Sequence, residues 1–290
     1  MAPEHLYLDA PSLVYRAFFA LPKTITDSRG RSVNAVRGFM DMVTTLIVAR
    51  RPRGIVAVFD ADWRPSFRVR AYEGYKSARP EDPAELPAQF DVLAEVLDAA
   101  GIARAEAPGL EADDALATLM SRKDEAELAA IVTGDRDLLA LVRDPDVKVL
   151  YPVRGVKRME ELDEARVKDK VGVAPRLYSE FAMLRGDPSD GLPGVAGIGP
   201  VGAAALLERY GSIEKILLNL DELSSRQAAV LTGAGDYLAR IREVVALVDD
   251  ADVVTTQAHP PDEQAVTKLA QEHRLGSSAT RLLQTLKGDR

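Results

Sequence analysis

Cysteine is absent from this 290-residue sequence, and histidine is scarce. Without cysteine the chain can form no disulfide, no thiolate nucleophile and no cysteine-containing zinc site. The three histidines, His5, His259 and His273, lie far apart and outside metal-ligand spacing, so we expect them to be surface or structural residues. Any catalytic metal would therefore need oxygen ligands, which favours Mg²⁺ or Mn²⁺.

Long apolar runs are missing as well. No stretch approaches the ~18 apolar residues that indicate a membrane-spanning helix, and no basic segment followed by an apolar core marks a secretory signal at the start of the chain. We therefore expect a cytoplasmic protein with no membrane partner. With 47% hydrophobic and 28% charged residues, the composition is that of a globular protein. We expect one large domain or two moderate ones, and a monomer by default.

The charge is acidic overall but locally basic. A net charge of −8 argues against a protein that coats nucleic acid along its whole surface. From Trp63 to Arg79, however, one acid, Glu73, accompanies five basic residues. These are Arg64, Arg68, Arg70, Lys76 and Arg79. The sequence thus predicts a local surface that attracts phosphate.

Short apolar strands alternate with amphipathic helices in the first half of the chain. The predicted strands are residues 6–8, 55–59, 129–132 and 147–150, and the predicted helices are residues 33–48, 86–100 and 111–121. This alternation favours an α/β fold with a mostly parallel sheet flanked by helices. After about residue 163 short helices dominate, and the chain ends with an edge strand at 253–255 and helices near 262–273 and 277–286.

Acidic residues recur where a predicted strand ends or a helix begins. Nine positions share this placement: Asp9, Asp60, Glu111, Asp113, Asp114, Asp135, Asp137, Asp187 and Asp190. In an open α/β sheet the carboxyl ends of the strands meet along one edge, where ligand crevices form. Carboxylates that converge there repel one another unless cations neutralise them. The pattern therefore predicts a site for two hard divalent ions with oxygen ligands.

Each acid also has a structural interpretation. Glu111, Asp113 and Asp114 would complement the positive end of a helix, by ~0.3–1 kcal/mol each. Asp135 or Asp137 would serve as a helix N-cap, and acids in the Gly-Asp-Pro-Ser-Asp-Gly loop as turn formers. Because five separate elements would have to show the same placement by coincidence, the sequence favours a common site.

One glycine motif suggests a cofactor that its context excludes. Residues 197–202 match G-x-G-x-x-G, but the loop at 189–194 precedes them where a dinucleotide fingerprint needs a strand. The motif instead indicates a hairpin between helices, whose exposed N–H groups would hold a phosphate. The loop from Asp187 to Gly191 also lacks the spacing of a calcium-binding EF-hand loop.

Several runs of residues resemble the 5′-nuclease domain of bacterial DNA polymerase I and, beyond it, flap endonucleases and phage 5′-exonucleases. They occur in the family's order along nearly the whole chain: Phe59-Asp60-Ala61, Ser66-Phe67-Arg68, Tyr72 to Pro80, Gly109 to Asp114, Thr133 to Leu138 and Gly186 to Asp190. No polymerase segment follows, so we expect a stand-alone member.

The resemblance implies metal-binding roles for all nine acids. By analogy, Asp60 and Asp113 favour one metal ion, while Asp135 and Asp137 favour the other. The remaining acids would act partly through water, apart from Asp114, to which the analogy gives no separate role. Two-metal hydrolysis of phosphodiesters would follow, with Lys76 and Arg79 neutralising the scissile phosphate.

The resemblance also implies three regions. Residues 1–165 would form a PIN-like α/β nuclease domain with a helical arch at 61–86. Residues 166–250 would form a duplex-binding subdomain of the helix-hairpin-helix type, and residues 251–290 would return to the first domain. In the arch, Tyr75 would stack an unpaired base. In the hairpin, Gly197 and Gly199 would contact the DNA backbone, and the carbonyls of Val195 and Ile198 would bind K⁺.

The implied function is a metal-dependent, structure-specific DNA 5′-nuclease, with exonuclease and flap-endonuclease action on 5′ flaps, nicks or ends, in DNA replication or repair. Two departures from the family stand out: Ala10 where glycine is common, and Val201 where many members have lysine, which would weaken duplex contact. A PIN-type ribonuclease and a non-catalytic binder of branched DNA remain alternatives. Comparing RNA with DNA flaps separates the first, and a metal-chelation assay the second.

Overall fold

The central feature of the computed structural model, which describes residues 4–288, is one seven-stranded sheet. Its strands are β1 (His5–Asp9), β2 (Gly54–Phe59), β3 (Ala103–Glu106), β4 (Ala129–Val132), β5 (Val147–Pro152), β6 (Met159–Leu162) and β7 (Val254–Thr255). The spatial order is β6-β5-β4-β1-β2-β3-β7, in which the five inner strands are parallel and both edge strands antiparallel. The expected mostly parallel α/β fold is confirmed.

The inner strands are buried on both faces. In β1, Leu6 and Leu8 point into one hydrophobic core while Tyr7 points into a second, as the two-residue period of a strand requires. All four residues of β4 are buried, which explains its continuous apolar run. Leu8 lies opposite Ala57 of β2 and Val132 of β4, so these three strands end at the same edge.

Helices cover both faces of the sheet. In the first half of the chain they are α1 (Ala10–Ala20), α2 (Asn34–Arg50), α3 (Ser66–Ala71), α4 (Pro87–Ala99) and α5 (Ala112–Arg122). Apolar residues of α1, α2 and α4 share the first core with those of two later helices, α12 (Glu263–Glu272) and α13 (Ser277–Lys287). The last part of the chain therefore packs against the first.

A third core belongs to a group of helices in the later half. They are α6 (Glu164–Val171), α7 (Tyr178–Arg185), α8 (Pro200–Tyr210), α9 (Ile213–Leu218), α10 (Ser225–Gly233) and α11 (Gly235–Val245). Leu207, Ile216 and Ile241 are fully buried in this core, which also takes in Tyr75 from the segment after α3. No helix within residues 4–288 is both long and apolar enough to cross a membrane.

The expected arch, residues 61–86, contains one helix, α3; residues 72–86 form turns and irregular backbone. This segment is seated on the loop after α7, where Lys76 N–H donates to the Asp190 carbonyl at 3.0 Å. Gly191 allows the contact, because its φ is +74° and a Cβ there would lie 2.4 Å from the Gly74 carbonyl oxygen. This segment is thus tied to the loop after α7.

Candidate active site

Acidic side chains gather at the carboxyl edge of the sheet, as expected. Asp9 ends β1, and Asp60 follows β2 directly. Asp113 lies in the first turn of α5, and Asp135 follows β4 after a two-residue loop. These four side chains are close enough to perturb one another electrostatically. The topology of the sheet thereby brings together residues up to 126 positions apart in the sequence.

Asp9 is the most enclosed of the four, with 3% of its surface exposed. Its carboxylate accepts hydrogen bonds from the Thr133 hydroxyl at 2.5 Å and from Ser12 N–H at 3.2 Å. Burial raises the pKa of Asp9 to about 7, and the nearby carboxylates of Asp135 and Asp60 add to the rise against the effect of these hydrogen bonds. Hydrogen bonds from two neutral donors therefore do not offset the free-energy cost of ionising the Asp9 carboxyl group.

The loop after β4 fixes two further carboxylates. Asp135 N–H donates to Thr133 Oγ1 at 2.8 Å, and Asp137 N–H donates to Asp135 Oδ1 at 3.0 Å. Asp137 begins a single 3₁₀ turn at this point. Thr133 is thus shared between Asp9 and the backbone that places Asp135, which couples the ends of β1 and β4.

Asp113 and Asp137 lack cationic partners. Burial, followed by the charge of Asp135, raises the pKa of both carboxyl groups well above the usual range. Neither side chain forms an ion pair within the part of the chain that the structure describes. The site therefore holds half-buried carboxylates that favour uptake of a cation or a proton.

Glu111 and Asp114 lie beside this cluster but are paired with a cationic side chain of the protein itself. Arg68 donates to Glu111 at 2.6 Å and grips both oxygens of Asp114 at 2.6 and 2.7 Å. It also donates to the carbonyls of Val244 at 2.9 Å and Ala246 at 3.1 Å, just where α11 ends. The structure places Arg68, for which we expected contact with DNA, in the interior, where it is 2% exposed and paired with groups of the protein itself.

Asp114, which we expected to be a metal ligand, is enclosed by donors of the protein itself. The residue has no exposed surface, and its oxygens accept from Arg68 and from the backbone N–H groups of Glu111 at 3.2 Å and Val248 at 3.0 Å. Hydrogen-bond donors from three parts of the chain therefore satisfy the carboxylate of Asp114.

Tyr75 and Lys76 complete the neutralisation of Glu111. The Tyr75 hydroxyl donates to Glu111 at 2.7 Å, and Lys76 Nζ forms an ion pair with the same carboxylate. Burial alone would lower the pKa of Lys76, but Glu111 reverses the effect and the net pKa is raised. The ring of Tyr75, which we expected to stack on a base, is 4% exposed and packs in the third core.

The remaining basic residues of the expected patch lie nearer the surface. Arg79 pairs with Asp190 at 2.7 Å and donates to the Ser189 carbonyl at 3.1 Å, yet 38% of its side chain stays exposed. Arg64 donates to the backbone carbonyls of residues 75 and 73 at 2.6 and 2.9 Å. Arg70 is exposed, with a 3.0 Å bond to Ser66. Three arginines therefore remain on or near the surface of this segment.

The loop after α7 supplies the last two acids. Asp187 accepts from Ser189 N–H at 2.9 Å and pairs with Arg185 at 3.1 Å. Both Asp187 and Asp190 perturb Asp137 electrostatically, so they lie on the same side of the site. A cavity of about 20 Å³ separates this loop from the other elements, lined by Asp137, Tyr178, Ser179, Ala182, Asp187, Leu192, Val245 and Leu247.

The glycine hairpin precedes α8. Gly197 and Gly199 are exposed, whereas Val195 and Ile198 are buried. The carbonyl of Val195 accepts from Ile198 N–H at 2.9 Å. Val201, in the first turn of α8, is 85% exposed, so an apolar side chain occupies a surface position there.

Oxygen donors of the kind that suit Mg²⁺ or Mn²⁺ are present, but they do not form a finished cage. Within residues 4–288 no three acidic or histidine side chains converge tightly enough to enclose an ion. The donor set fits hard divalent cations in chemistry, and electrostatic coupling joins its members into one cluster.

Arg16 is a residue of this site that the sequence did not reveal. Its Nε is buried without a hydrogen-bond partner, and its Nη2 would lie 2.5 Å from a Cβ at Gly134, beside Asp135. Ser12, from the same helix, accepts from Gly134 N–H at 2.9 Å. The usable signal was the helical spacing of Asp9, Ser12 and Arg16, which requires recognising that α1 starts immediately after β1.

Two family descriptions match consecutive parts of the chain. "5′-3′ exonuclease, N-terminal resolvase-like domain" matches residues 4–172, and "5′-3′ exonuclease, C-terminal SAM fold" matches residues 173–266. This chain belongs to the 5′-3′ exonuclease family. The resemblance inferred from the motifs is confirmed, and so is the expectation of a nuclease.

Relatives of this exonuclease-family chain differ in length. The Streptomyces coelicolor 5′-3′ exonuclease is 43% identical over 301 residues, which cover 97% of this chain and 99% of that protein. DNA polymerase I of Mycobacterium tuberculosis (strain ATCC 25618 / H37Rv) is 39% identical over 290 residues, which cover 98% of this chain but 32% of the polymerase. The chain thus corresponds to one region of the polymerase and to almost the whole of the shorter relative.

Solved structures share the fold at low sequence identity. T5 5′-exonuclease with bound divalent metal ions (zinc) superposes with a TM-score of 0.67 at 17% identity, covering 98% of this chain and 99% of that one. The catalytic core of Rad2 in complex with DNA substrate gives 0.66 at 18% identity, covering 98% and 92%. These likenesses support the fold of the exonuclease-family chain as a whole.

Proposed function

We propose that this chain is a divalent-metal-dependent, structure-specific nuclease that hydrolyses phosphodiesters at 5′ flaps, nicks or ends of DNA. The observation that carries the proposal is the cluster of carboxylates at the carboxyl edge of the sheet, in which Asp9, Asp113 and Asp137 have raised pKa values and form no ion pair within residues 4–288. Clusters of this kind mark functional sites, because their cost to the fold needs a function to offset it.

Seven of the nine acids are proposed to hold two divalent ions: Asp9, Asp60, Asp113, Asp135, Asp137, Asp187 and Asp190. When bound, such ions supply Lewis-acid activation of the attacking water and stabilisation of the leaving oxygen. Asp60 and Asp113 would serve one ion, and Asp135 and Asp137 the other. Glu111 and Asp114 are assigned instead to the ion-pair network of Arg68, which holds the start of α5 in position.

Basic residues at the rim are proposed to bind and orient the scissile phosphate. Lys76 and Arg79 perturb Asp60 electrostatically, so both charges lie near the acid cluster. Arg16 adds a guanidinium whose Nη2 lies beside Gly134. Positive charge aimed at a phosphate stabilises the charge that develops during displacement, and this preorganised effect is commonly worth ~10²–10³ in rate.

We propose DNA as the substrate because basic residues border the acid cluster and because the relatives described above are exonucleases and DNA polymerases. Arg64 and Arg70 extend the basic surface beyond Arg79, and phosphate contacts of this kind position a duplex without reading its sequence. The exposed glycines Gly197 and Gly199 would contact the duplex backbone, with K⁺ held by the carbonyls of Val195 and Ile198. Such an activity would serve DNA replication or repair.

A cleavage map tests the proposal. Matched 5′-flap, nicked and blunt duplexes, each in DNA and RNA form, are incubated with Mg²⁺, Mn²⁺ or a chelator. We expect cuts near the junction of the DNA substrates with either ion, none with the chelator, and none by Asp137→Asn. Chelator-resistant cleavage, or preferential cleavage of RNA, would contradict the assignment.

A further inference from the structure

We propose that Arg185 is an internal counter-ion at the Asp137–Asp187 end of the site, and that it competes with a divalent ion for these carboxylates. Arg185 would thereby set the metal concentration at which the second ion binds. This proposal rests on the proposed metal-dependent function and concerns a residue that none of the roles above includes.

The guanidinium of Arg185 is held in one place. It lies at the end of α7, where Nη2 donates to Asp187 Oδ2 at 3.1 Å and to the Tyr178 hydroxyl at 3.4 Å. Its centre is 6.0 Å from the ring of Tyr178 and 5.2 Å from the ring of Phe181. Only 17% of its side chain is exposed. Aromatic faces and a carboxylate thus fix the charge at the loop after α7.

The partner of Arg185 lines a small cavity together with Asp137. Asp137 and Asp187 both belong to the lining of the cavity of about 20 Å³, and a space of that size holds about one water molecule or ion. Arg185 pairs with Asp187 at 3.1 Å, so its charge is fixed on one of the two carboxylates that line the cavity.

A second observation shows that Arg185 is not a saturated structural cation. Its Nε is buried without a hydrogen-bond partner. Arg68 differs, because its guanidinium makes five hydrogen bonds to carboxylates and carbonyls. A buried N–H without a partner costs free energy, so the position of Arg185 is explained better by its charge than by its hydrogen bonds.

The expected consequence is weaker binding of the ion at the end of the site near Asp137. An arginine stays protonated at any working pH, so it cannot give way to a metal ion by losing its proton. A fixed positive charge a few ångströms from a divalent ion weakens binding by about 10-fold or more, even when water screens the pair. The ion site near Asp137, called the weak site below, should therefore bind its ion more weakly than it would without Arg185.

Mn²⁺ binding measured without DNA tests the proposal. Calorimetry and electron paramagnetic resonance of free Mn²⁺ should give the affinities of the two ion sites in the unmodified protein. In Arg185→Met the weak site should tighten about 10-fold, while Arg185→Lys, which keeps the charge, should stay close to the unmodified protein. Arg209→Met, which breaks the 2.6 Å ion pair with Glu222 on the same subdomain, is the matched control and should change neither site.

The outcomes separate this proposal from the proposed function. If the unmodified protein binds two Mn²⁺ ions and cleaves DNA, but Arg185→Met leaves the weak site unchanged or loosens it, the counter-ion role is wrong and the nuclease assignment stands. If the unmodified protein binds no Mn²⁺, both fail. Should Arg185→Met not fold, Arg185→Gln, which is neutral and polar, carries the same expectation. Loss of metal-free DNA binding at unchanged Mn²⁺ affinity would show a phosphate contact instead.

Discussion

Two groups of carboxylates lie at the same edge of the sheet and differ in their electrostatic surroundings. Glu111 and Asp114 receive hydrogen bonds and ion pairs from Arg68, Tyr75 and Lys76. Asp113, one residue before Asp114, has no ion-pair partner within residues 4–288, and its pKa is raised well above the usual range. Neighbouring acids on one helix turn therefore have different electrostatic environments.

The difference shows that the number of acids at a site does not give the number of metal ligands. A buried carboxylate is tolerated when a cation and further hydrogen bonds satisfy it, and it then contributes to the structure. A buried carboxylate without such partners remains available for an external cation. The first group joins α3, α5 and the end of α11, whereas the second is proposed to perform the chemistry.

Neutralising one carboxylate of the second group, the proposed metal ligands, should have the largest effect on cleavage. Asp135→Asn keeps the oxygen that accepts Asp137 N–H but removes a charge that acts on Asp9, Asp113 and Asp137. We expect cleavage to fall by about 10³-fold or more, because stabilisation of the developing charge is lost. Metal-free stability should be unchanged or higher, because repulsion is relieved.

Cleavage rates and urea unfolding measure these two effects. Asp169→Asn, an exposed acid on α6, is the control and should alter neither quantity. If Asp135→Asn cleaves DNA at the rate of the control, the distinction between the two groups of carboxylates does not matter for the reaction.

Breaking the paired group should instead affect stability. Arg68→Met leaves Asp114 buried without its cation, and removing one partner of a buried pair costs about 3–5 kcal/mol. The free energy of unfolding in urea should fall by that amount. Arg70→Met, on the exposed face of the same helix, should stay within about 0.5 kcal/mol of the unmodified protein. Equal stability of the two variants would show that the network does not hold the elements together.

The cations at the border of the two groups should show the smallest effect. Lys76→Ala and Arg79→Ala should each lower the turnover number by about 10²-fold, because a charge near the scissile phosphate is lost. Duplex binding should change much less, since other basic residues remain. Single-turnover rates and binding isotherms on one flap substrate provide the comparison, with Lys268→Ala on α12 as the control. Parallel losses in rate and affinity would point to binding alone.

Much of the fold could be predicted because its signals are local. Strands β1, β2, β4 and β5 are short apolar runs, and the edge strand β7 and helices α12 and α13 occur where the sequence placed them. Strand β3, with the sequence Ala-Arg-Ala-Glu, was missed because it has no β-branched or aromatic residue; pairing with β2 and β7 makes it a strand. Helix α1 was missed because no turn separates it from β1.

The sequence by itself determined which acids would meet, because each follows a strand or opens a helix and parallel strands end at one edge. Only the tertiary structure decided which of them are neutralised. Arg68 lies 43 and 46 residues from its carboxylate partners and 176 residues from the Val244 carbonyl. An ion pair depends on separation in space and on burial, and neither is encoded in the local pattern of residues.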